Sequence, residues 1–204
     1  MEKKVDRRIL KTKSQLRTGL AKLMQSKDIS RITVKELVDE VGINRSTFYL
    51  HYKDISGLLE EIEREMAEEI QEAMQRHPIG QEQHATFYFI EDLYEVLTKN
   101  REISRALVGP NGDIRFIQKI QHIIEENSRG LLTEVCHASE KELRYFYAFC
   151  LNGCLGLVKT WLLEGAHRDP EFMARMTFEM AANAMNAFCN AEDSFENSLT
   201  EKSQ

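Results

Sequence analysis

The sequence predicts an all-α protein, because apolar residues recur at helical spacing and show no alternation typical of strands. Its 204 residues include only 3 prolines and 10 glycines. Several Ser, Thr and Asp residues also stand where a side chain can cap the first turn of a helix. With 42 % apolar and 29 % charged residues, the chain has an ordinary globular composition and can bury a sizeable core.

The first predicted helix spans residues 6 to about 26. Its apolar face consists of Ile9, Leu16, Leu20 and Leu23. Four basic residues lie near its start, and such a cluster is either a hydrated surface or an accessory contact to phosphates. We favour the phosphate contact because of the segment that follows. The four residues are Arg7, Arg8, Lys11 and Lys13.

Residues 32–52 predict two short helices joined by a tight turn. Thr33 and Glu36 have the Thr-x-x-Glu spacing of a capping box, which starts the first helix. Gly42 can adopt the left-handed conformation that ends it. A second capped helix follows at once. This arrangement is typical of a helix-turn-helix, whose second helix can lie in the major groove of DNA.

The second of these helices carries the polar side chains that favour DNA binding. Asn44 or Ser46 can cap it, and Phe48 faces the core. Arg45 can hold a guanine edge with two hydrogen bonds, and Ser, Tyr and His side chains suit phosphate oxygens. The alternative is a helical hairpin that only packs. Polar donors crowd the end of the helix that enters the groove, so we favour DNA binding.

This segment resembles the DNA-binding segment of the TetR family of bacterial repressors. Residues 47–54 read Thr-Phe-Tyr-Leu-His-Tyr-Lys-Asp, which is similar to the family pattern Thr-hydrophobic-Tyr-x-His-Phe followed by lysine and a polar residue. Two positions depart from that pattern. Tyr52 stands where phenylalanine is usual, and Ile55 stands where a phosphate-binding lysine is common. Lys53 can substitute for that lysine.

The resemblance implies roles for individual residues. By the family pattern, Tyr49 and His51 hold phosphates, and residues at the start of the two helices contact the operator. The residues predicted to bind DNA are Thr33 and Lys35 from the first helix, Arg45 and Ser46 facing the bases, and Asn44, Thr47, Tyr49, His51 and Lys53.

The charge distribution agrees with a DNA-binding N-terminal region. The whole chain has a net charge of −6, but residues 1–53 carry +7 and the remainder carries −13. A basic segment joined to an acidic body is typical of a polyanion-binding domain fused to a second domain. We therefore expect a DNA-binding domain at residues 1–53, a helical regulatory and dimerisation domain at 54–190, and a disordered tail at 191–204.

A long helix is expected from Ile55 to about Arg76, capped by Asp54 and stopped by the Pro and Gly at positions 78 and 80. Its apolar stripe consists of Ile55, Leu58, Leu59, Ile62, Met66, Ile70 and Met74. The opposite face is acidic, and simple hydration explains it. Its residues are Glu60, Glu61, Glu63, Glu65, Glu68, Glu69 and Glu72. Because this helix connects the DNA-binding segment to the rest, its orientation can carry a signal.

The rest of the chain predicts five further helices and no strand. Ser139 and Glu142 form a second capping box, and Asp169 followed by Pro170 starts the last helix. The helices span about residues 82–99, 102–108, 114–132 with a weak break near Gly130, 140–163 and 170–188.

The last two helices are apolar on more than one face, and small residues on them permit close helix packing. Surplus apolar surface must be buried, and a second copy of the chain is the simplest partner. The alternative is a pair of helices buried inside one chain. A weaker TetR-like pattern at residues 153–170 implies the same homodimer, which would place two DNA-binding helices on one palindromic operator.

The resemblance also implies a small-molecule effector that enters the C-terminal bundle and displaces the long helix, so that the two DNA-binding segments no longer fit adjacent grooves. Aromatic and polarisable residues of the bundle are the candidate pocket residues, although each is more often a core residue. The candidates are Phe87, Tyr88, Tyr94, Phe116, His122, Cys150 and Trp161.

The sequence gives little support for an enzyme, a cofactor or a metal site. Two Glu-x-x-His spacings, at residues 134–137 and 164–167, lie at helix ends and lack the partner carboxylates of a di-iron site. Cys150 and Cys154 share a helix face and permit a thiol sensor or soft-metal site, but buried structural thiols are commoner. No phosphate-binding Gly-rich loop or nucleophile motif is present.

The cellular location expected from the sequence is the cytoplasm. No apolar run approaches the length of about 20 residues that a membrane span needs, and no apolar segment follows the basic N-terminus as in a secretion signal. The four cysteines show no disulfide framework and are expected to be reduced. The alternative to a transcriptional regulator is a helical adaptor or co-activator whose acidic body binds a protein.

Overall fold

The computed structural model describes residues 7–79 and 84–190, and the described residues form nine α-helices with no strand. The predicted all-α fold is confirmed. The expectations for the disordered tail and for the start of the helix at residue 82 lie outside the described residues. The helices are α1 (Arg7–Met24), α2 (Val34–Val41), α3 (Arg45–Tyr49), α4 (Ile55–Arg76), α5 (Ala85–Lys99), α6 (Arg101–Val108), α7 (Ile114–Cys136), α8 (Glu140–Leu163) and α9 (Pro170–Cys189).

Contacts divide the described chain into two compact units. The first unit contains the chain up to Glu69 together with Leu97–Gln118, and the second contains Ile70–Val96 together with the chain from Lys119 onward. These units do not follow a cut between residues 53 and 54, because the first turns of α4 and all of α6 belong to the first unit. The predicted functional division at that point stays a prediction.

In the first unit, α1 packs against α2 and α6. The predicted face of α1 is buried at Leu16 and Leu20, but Ile9 is 39 % exposed, so the expectation for Ile9 is wrong. Gly19 lies where α1 meets α2, and a Cβ built on it would lie 2.3 Å from Cγ1 of Val41. The absence of a side chain at this position therefore permits the close approach of the two helices.

Helix α4 has the predicted bounds, and its predicted apolar stripe is buried from Ile55 to Met74. The Asp54 carboxylate accepts a hydrogen bond from the backbone N–H of Gly57 at 2.9 Å, as expected for a cap. Simple hydration does not describe the acidic face, because four of its glutamates form ion pairs. Three of them pair with other helices, in Lys13–Glu61, Arg17–Glu65 and Lys99–Glu69, and Glu68 pairs with Arg64 on α4 itself.

In the second unit, aromatic rings form much of the core. The rings of Tyr94 and Trp161 meet edge to face with centroids 5.2 Å apart, a favoured arrangement for aromatic pairs. The buried Tyr94 hydroxyl lies 2.9 Å from Oγ1 of Thr177 on α9. A second cluster contains Leu132 and Phe146, against which Phe188 of α9 packs. These contacts join α5, α8 and α9.

Helix α7 runs without interruption through Gly130, so the predicted weak break at this residue is wrong. A Cβ built on Gly130 would meet no atom within 4 Å, which means that the position is open and imposes no special backbone. The neighbouring apolar residues continue the helical pattern, and tertiary packing outweighs the low helix propensity of one glycine.

By length and apolar composition alone, α8 could cross a membrane, which corrects the expectation that no segment reaches that length. Only 28 % of its most apolar stretch is buried in the described chain. One such helix is weak evidence for membrane insertion, because apolar helices in protein cores and interfaces pass the same test. The apolar surface of α8 nevertheless requires an explanation.

The cysteines depart from expectation. Cys136 at the end of α7 and Cys189 at the end of α9 form a disulfide, while Cys150 and Cys154 are free. The expectation of four reduced thiols is therefore wrong for this structure. The spacing of cysteines did not show the pair, because residues 53 positions apart meet only through the packing of α7 and α9.

We expect Gly130→Ala to stabilise the protein by about 0.5–1 kcal/mol, because alanine has the higher helix propensity and the position is open. Gly112→Ala provides the contrast. A Cβ at Gly112 would lie 1.8 Å from the Leu107 carbonyl oxygen. Because this oxygen belongs to the backbone and cannot easily move, we expect Gly112→Ala to be destabilised. Thermal or urea unfolding measures both changes. A destabilising Gly130→Ala would contradict the uninterrupted α7.

We expect two thiols per chain to react with an alkylating reagent in the denatured, unreduced protein, and four after reduction. Mass spectrometry of protein purified without reductant makes the measurement. In Cys136→Ser, Cys189 loses its partner, so three thiols should react before reduction. Four reactive thiols in the unreduced wild-type protein would contradict the disulfide.

Candidate nucleic-acid interface

The first helix of the predicted helix-turn-helix is fixed at both ends by local hydrogen bonds. The Thr33 hydroxyl accepts from the Glu36 backbone N–H at 3.2 Å, and the Glu36 carboxylate accepts from the Thr33 backbone N–H at 3.0 Å. This capping box starts α2, as predicted. Gly42 ends α2 with φ of 69°, and its N–H donates to the Val38 carbonyl. The left-handed Gly42 therefore ends α2 and turns the chain before α3 begins at Arg45.

Helix α3 begins at the cap expected from the sequence. The Asn44 side-chain oxygen accepts hydrogen bonds from the Ser46 backbone N–H at 3.0 Å and from the Ser46 hydroxyl at 3.1 Å. Asn44 is therefore the cap of α3. Arg45 follows at the first helical position and is exposed. The N-terminal end of α3 thus combines an exposed guanidinium with the positive end of the helix, which suits a polyanion.

Phe48 anchors α3 in the first unit. Its side chain is completely buried, and its ring lies 5.8 Å from the ring of the buried Tyr52. The Phe48 carbonyl accepts from the backbone N–H groups of His51 and Tyr52. The helical spacing that puts Phe48 and Tyr52 in the core leaves the side chains between them to face outward.

The predicted DNA-binding residues are distributed around this exposed surface. Thr47 and His51 are half-buried, and the other seven are exposed. The Thr33 hydroxyl is already engaged, because besides capping the Glu36 backbone N–H it donates a hydrogen bond to the Glu36 carboxylate at 2.9 Å. A phosphate would compete with that internal bond. The exposed members are Thr33, Lys35, Asn44, Arg45, Ser46, Tyr49 and Lys53.

Leu50 is a surface residue that the sequence reasoning missed. Its side chain is 80 % exposed beside Tyr49, which is 58 % exposed. An exposed leucine costs free energy in water, and apolar side chains can contact thymine methyl groups in the major groove. Residue type alone gave no signal, because leucine usually indicates the core. Its position between the apolar residues Phe48 and Tyr52 in the sequence was the usable clue.

The structure bears on two expected contacts between basic side chains and phosphates. Ile55 is buried, with 6 % exposure, so it cannot replace the phosphate-binding lysine common at this position in the family. Lys53, two residues earlier, is exposed. Lys13 was expected to face phosphates, but its Nζ lies 2.9 Å from Glu61. Its charge is thus already neutralised inside the first unit.

The seven candidate ligand residues occupy several different surroundings. Tyr94 and Trp161 pack in the core of the second unit, and Phe116 belongs to the first unit. The His122 side chain is 64 % exposed and faces Glu126, and Tyr88 is 46 % exposed. Phe87 packs edge to face on Phe178, and Cys150 borders the cluster around Phe146. The predicted pocket stays a prediction.

Among the described residues, a cleft of about 250 Å³ lies between α7 and α8. Its lining is mostly polar and shares no residue with the predicted pocket. The residues are Glu125, Arg129, Glu140, Leu143, Arg144 and Tyr147. The described part of the chain contains no cluster of three or more His, Cys, Asp or Glu side chains that could hold a metal ion.

Comparison with known proteins decides the family. The profile of the bacterial regulatory proteins of the tetR family matches residues 17–62, and a transcriptional regulator C-terminal profile of the same family matches residues 85–183. The chain belongs to the TetR family. It is accordingly a DNA-binding transcriptional regulator, and the matched N-terminal segment contains α2, α3 and the start of α4.

A Bacillus subtilis (strain 168) protein described as the HTH-type transcriptional regulator YxbF is 25 % identical to this TetR-family chain over 181 residues. The match covers 83 % of the chain but only 44 % of that relative. The chain therefore spans less than half the length of this relative.

Solved structures show the same fold. A TetR transcriptional regulator from Streptococcus agalactiae 2603V has a TM-score of 0.53 at 22 % identity, over 86 % of this chain and 96 % of that one. The fatty acid degradation regulator FadR from Bacillus halodurans has a TM-score of 0.53 at 12 % identity, over 92 % and 97 %. The dihydroxyacetone kinase operon activator DhaS has a TM-score of 0.53 at 13 % identity, over 87 % and 97 %.

We expect the Glu36 carboxyl to titrate far below its ordinary value. Its ion pair with Lys27 and its hydrogen bonds with Thr33 lower the pKa from 4.5 to about 2. Because the folded pKa is depressed, the stabilisation is present above pH 4.5 and is lost as the pH falls towards 2. Carbon-13 NMR of the side-chain carboxyl gives the midpoint.

Lys27→Gln supplies the control for this titration, since it removes the largest cause of the shift and should raise the midpoint. A wild-type midpoint near 4.5 would mean that the Glu36 carboxylate does not hold these contacts in solution.

Proposed function

We propose that this protein is a cytoplasmic, homodimeric repressor that binds a palindromic operator and is released by a small-molecule effector. The observation that carries the proposal is the exposed, capped N-terminal end of α3, where Arg45 stands beside the Asn44 cap. A short helix with its core side anchored and its polar end exposed is the arrangement used to read the major groove. No catalytic activity is part of this proposal.

The contacts to DNA divide into two classes. Arg45 is the residue for base recognition, because a guanidinium can donate two hydrogen bonds to guanine. Tyr49, His51 and Lys53 lie further along and are placed for phosphate contacts, which fix the register without reading sequence. Lys35 and the Thr33 cap supply contacts from α2, and Asn44, Ser46 and Thr47 complete the surface.

The outward surface of α8 and α9 supports a homodimer. Tyr145 and Phe149, one helical turn apart on α8, are 77 % and 73 % exposed. Phe172 and Met180 on α9 are 51 % and 57 % exposed. Such a surface is unfavourable in water, and a two-fold related copy would bury it with matching residues.

The dimer gives the operator its geometry. Two copies present two α3 helices, so the preferred DNA contains two inverted half-sites about one helical turn, ~34 Å, apart. An effector that displaces α4 would change this separation, because α4 starts beside the DNA-binding surface and continues into the second unit. The candidate effector-binding residues are the seven predicted from the sequence: Phe87, Tyr88, Tyr94, Phe116, His122, Cys150 and Trp161.

The sign of regulation is open to direct measurement. The structural relative DhaS is named an operon activator, whereas the family resemblance favours repression. A reporter placed behind the operator distinguishes the two: deleting the regulator should raise expression, and a fall would make the protein an activator.

Selection of bound fragments from the source genome, followed by binding titrations, tests the proposal. We expect an inverted repeat that the protein still prefers over random duplex at ~0.2 M salt, because base contacts survive where purely ionic binding is lost. Arg45→Ala should weaken binding to that repeat by about tenfold or more, since a bidentate base contact contributes about 1–3 kcal/mol. It should change random-duplex binding much less.

Tyr49→Phe should weaken operator and random duplex to a similar degree, because it removes a proposed phosphate contact. Arg101→Ala is the matched control for Arg45→Ala: it removes an exposed arginine at the start of α6 and should leave both affinities near wild type. Equal losses on both DNAs for Arg45→Ala, or a purified protein that is monomeric, would contradict the assignment.

A further inference from the structure

The Tyr52 hydroxyl has a partner that a phenylalanine could not have. Tyr52 follows α3 by three residues, and its side chain is 7 % exposed. Its hydroxyl donates a hydrogen bond to Oε1 of Glu61 on α4 at 2.7 Å. This is the position where the TetR pattern usually has phenylalanine. We call α3 together with the following residues up to Tyr52 the recognition segment. The change from that pattern therefore adds a directional contact between the recognition segment and α4.

Lys13 of α1 completes the arrangement. Its Nζ donates to both carboxylate oxygens of Glu61, at 2.9 and 3.2 Å. The same ammonium lies 5.7 Å from the centre of the Tyr52 ring, which is within the range of a cation–π contact. Glu61 thus receives one hydrogen bond from the recognition segment and two from α1. We call Lys13, Tyr52 and Glu61 the Tyr52 network.

A second ion pair continues this contact one turn further along both helices. Nη1 of Arg17 lies 3.1 Å from Oε2 of Glu65. Because Lys13 and Arg17 are four residues apart, as are Glu61 and Glu65, the two helices run in the same direction along this contact. The backbones of α1 and α4 make few close approaches. Long polar side chains therefore form these two links between the helices.

Burial makes this bridge sensitive to movement. Nε and Nη2 of Arg17 are buried and have no hydrogen-bond partner among the described residues. Removing Glu65 would leave a partly buried cation without its counter-charge, which is costly. A displacement of α4 relative to α1 would impose the same loss. The bridge therefore holds one arrangement of these helices.

The protonation states at neutral pH suit the hydrogen bonds. Burial, followed by the Glu61 hydrogen bond, raises the pKa of Tyr52, so its hydroxyl remains a donor. Burial alone would raise the pKa of Glu61, but the hydrogen bonds from Lys13 and Tyr52 outweigh it and the net shift is downward. Glu61 is therefore ionised and accepts from both neighbours.

The orientation of α3 needs such a contact because α3 is short. A helix of 5 residues has no independent stability, so its direction comes entirely from what holds it. Burial of Phe48 selects the face of α3 that turns inward, but apolar packing has no preferred direction and fixes the exact rotation of the helix less strictly. A hydrogen bond has a preferred direction. The Tyr52–Glu61 bond can therefore fix the rotation of the recognition segment against α4.

We propose that Tyr52 is a positioning residue for operator recognition, which acts through Glu61 and Lys13 to hold α3 in its reading orientation on α4. This inference rests on the proposed function, since it concerns how the operator is read. Tyr52 itself touches no DNA. Through the same network, a change in the position of α4 reaches the recognition segment directly.

The test uses the full-length variants Tyr52→Phe, Glu61→Gln and the double variant, titrated against the selected operator duplex and a random duplex of equal length. Each single variant should lose about three- to tenfold in operator affinity, because contacting residues couple at this level. Random-duplex affinity should change by less than about twofold, since phosphate contacts dominate it. The double variant should bind no more weakly than Glu61→Gln.

Glu68→Gln is the matched control. It makes the same charge change on the same helix, but Glu68 is exposed and its ion pair is with Arg64, one turn away on α4 itself. Its operator affinity should stay within about twofold of wild type, as is usual for an exposed pair. Any gain in DNA binding from the lost negative charge appears equally in Glu61→Gln and Glu68→Gln, so comparing the two variants removes that effect.

Two further measurements separate positioning from stability. Thermal unfolding should show that Tyr52→Phe remains folded, since phenylalanine fills the same space. Amide hydrogen exchange of the free protein should then be faster in α3 and at residues 51–52, and unchanged in α2. Weaker operator binding by Tyr52→Phe with unchanged exchange in α3 would overturn the positioning role.

The binding outcomes are distinct for the two proposals. Suppose that the wild-type protein prefers its operator and that Tyr52→Phe and Glu61→Gln bind this operator as tightly as the wild type does. This result overturns the positioning role of Tyr52 and leaves the proposed function standing. A wild-type protein with no sequence preference overturns the proposed function and the positioning role together. Operator-selective loss in both variants, absent from Glu68→Gln, supports the network.

Discussion

The burial of Phe48 is the constraint on which the candidate DNA-binding surface depends. Helix α3 has only 5 residues, and so short a segment is helical only when tertiary contacts hold it. Because Phe48 is fully buried, the helical spacing forces Arg45, Tyr49 and Leu50 to face outward. The capping box of α2 and the left-handed Gly42 deliver the chain to this point. The exposed surface is therefore a consequence of how one aromatic ring is packed.

Local sequence signals predicted most of the fold because capping residues mark where several helices begin. The Thr33–Glu36 and Ser139–Glu142 boxes both formed, and each depends only on residues three positions apart. Helix α4 kept its predicted bounds for the same reason, since Asp54 caps it. The predicted break of α7 at Gly130 was wrong. The low helix propensity of one glycine costs less free energy than the tertiary packing of the neighbouring apolar residues contributes.

Contacts between distant residues were beyond the reach of sequence spacing. The glutamates of α4 read as a hydrated face, yet Glu61 and Glu65 meet Lys13 and Arg17 from a helix 48 positions earlier. The Cys136–Cys189 pair is similarly distant. In the candidate site, residue types predicted which polar residues would contact DNA, and that stays a prediction; they could not show that the Thr33 hydroxyl is already engaged by Glu36 or that Leu50 is exposed.

The substitution of tyrosine for phenylalanine at position 52 illustrates why a departure from a family pattern needs its surroundings. By residue type the change is mild, since both rings fill the same apolar space. A buried hydroxyl without a partner would nevertheless cost free energy. The acidic face of α4 supplies that partner in Glu61, and Lys13 neutralises the carboxylate. The tyrosine, the glutamate and the lysine are thus mutually dependent: each is favourable in this partly buried position because the other two are present. An interaction of that kind couples the orientation of the recognition segment to the position of α4 without any change in the residues that face DNA.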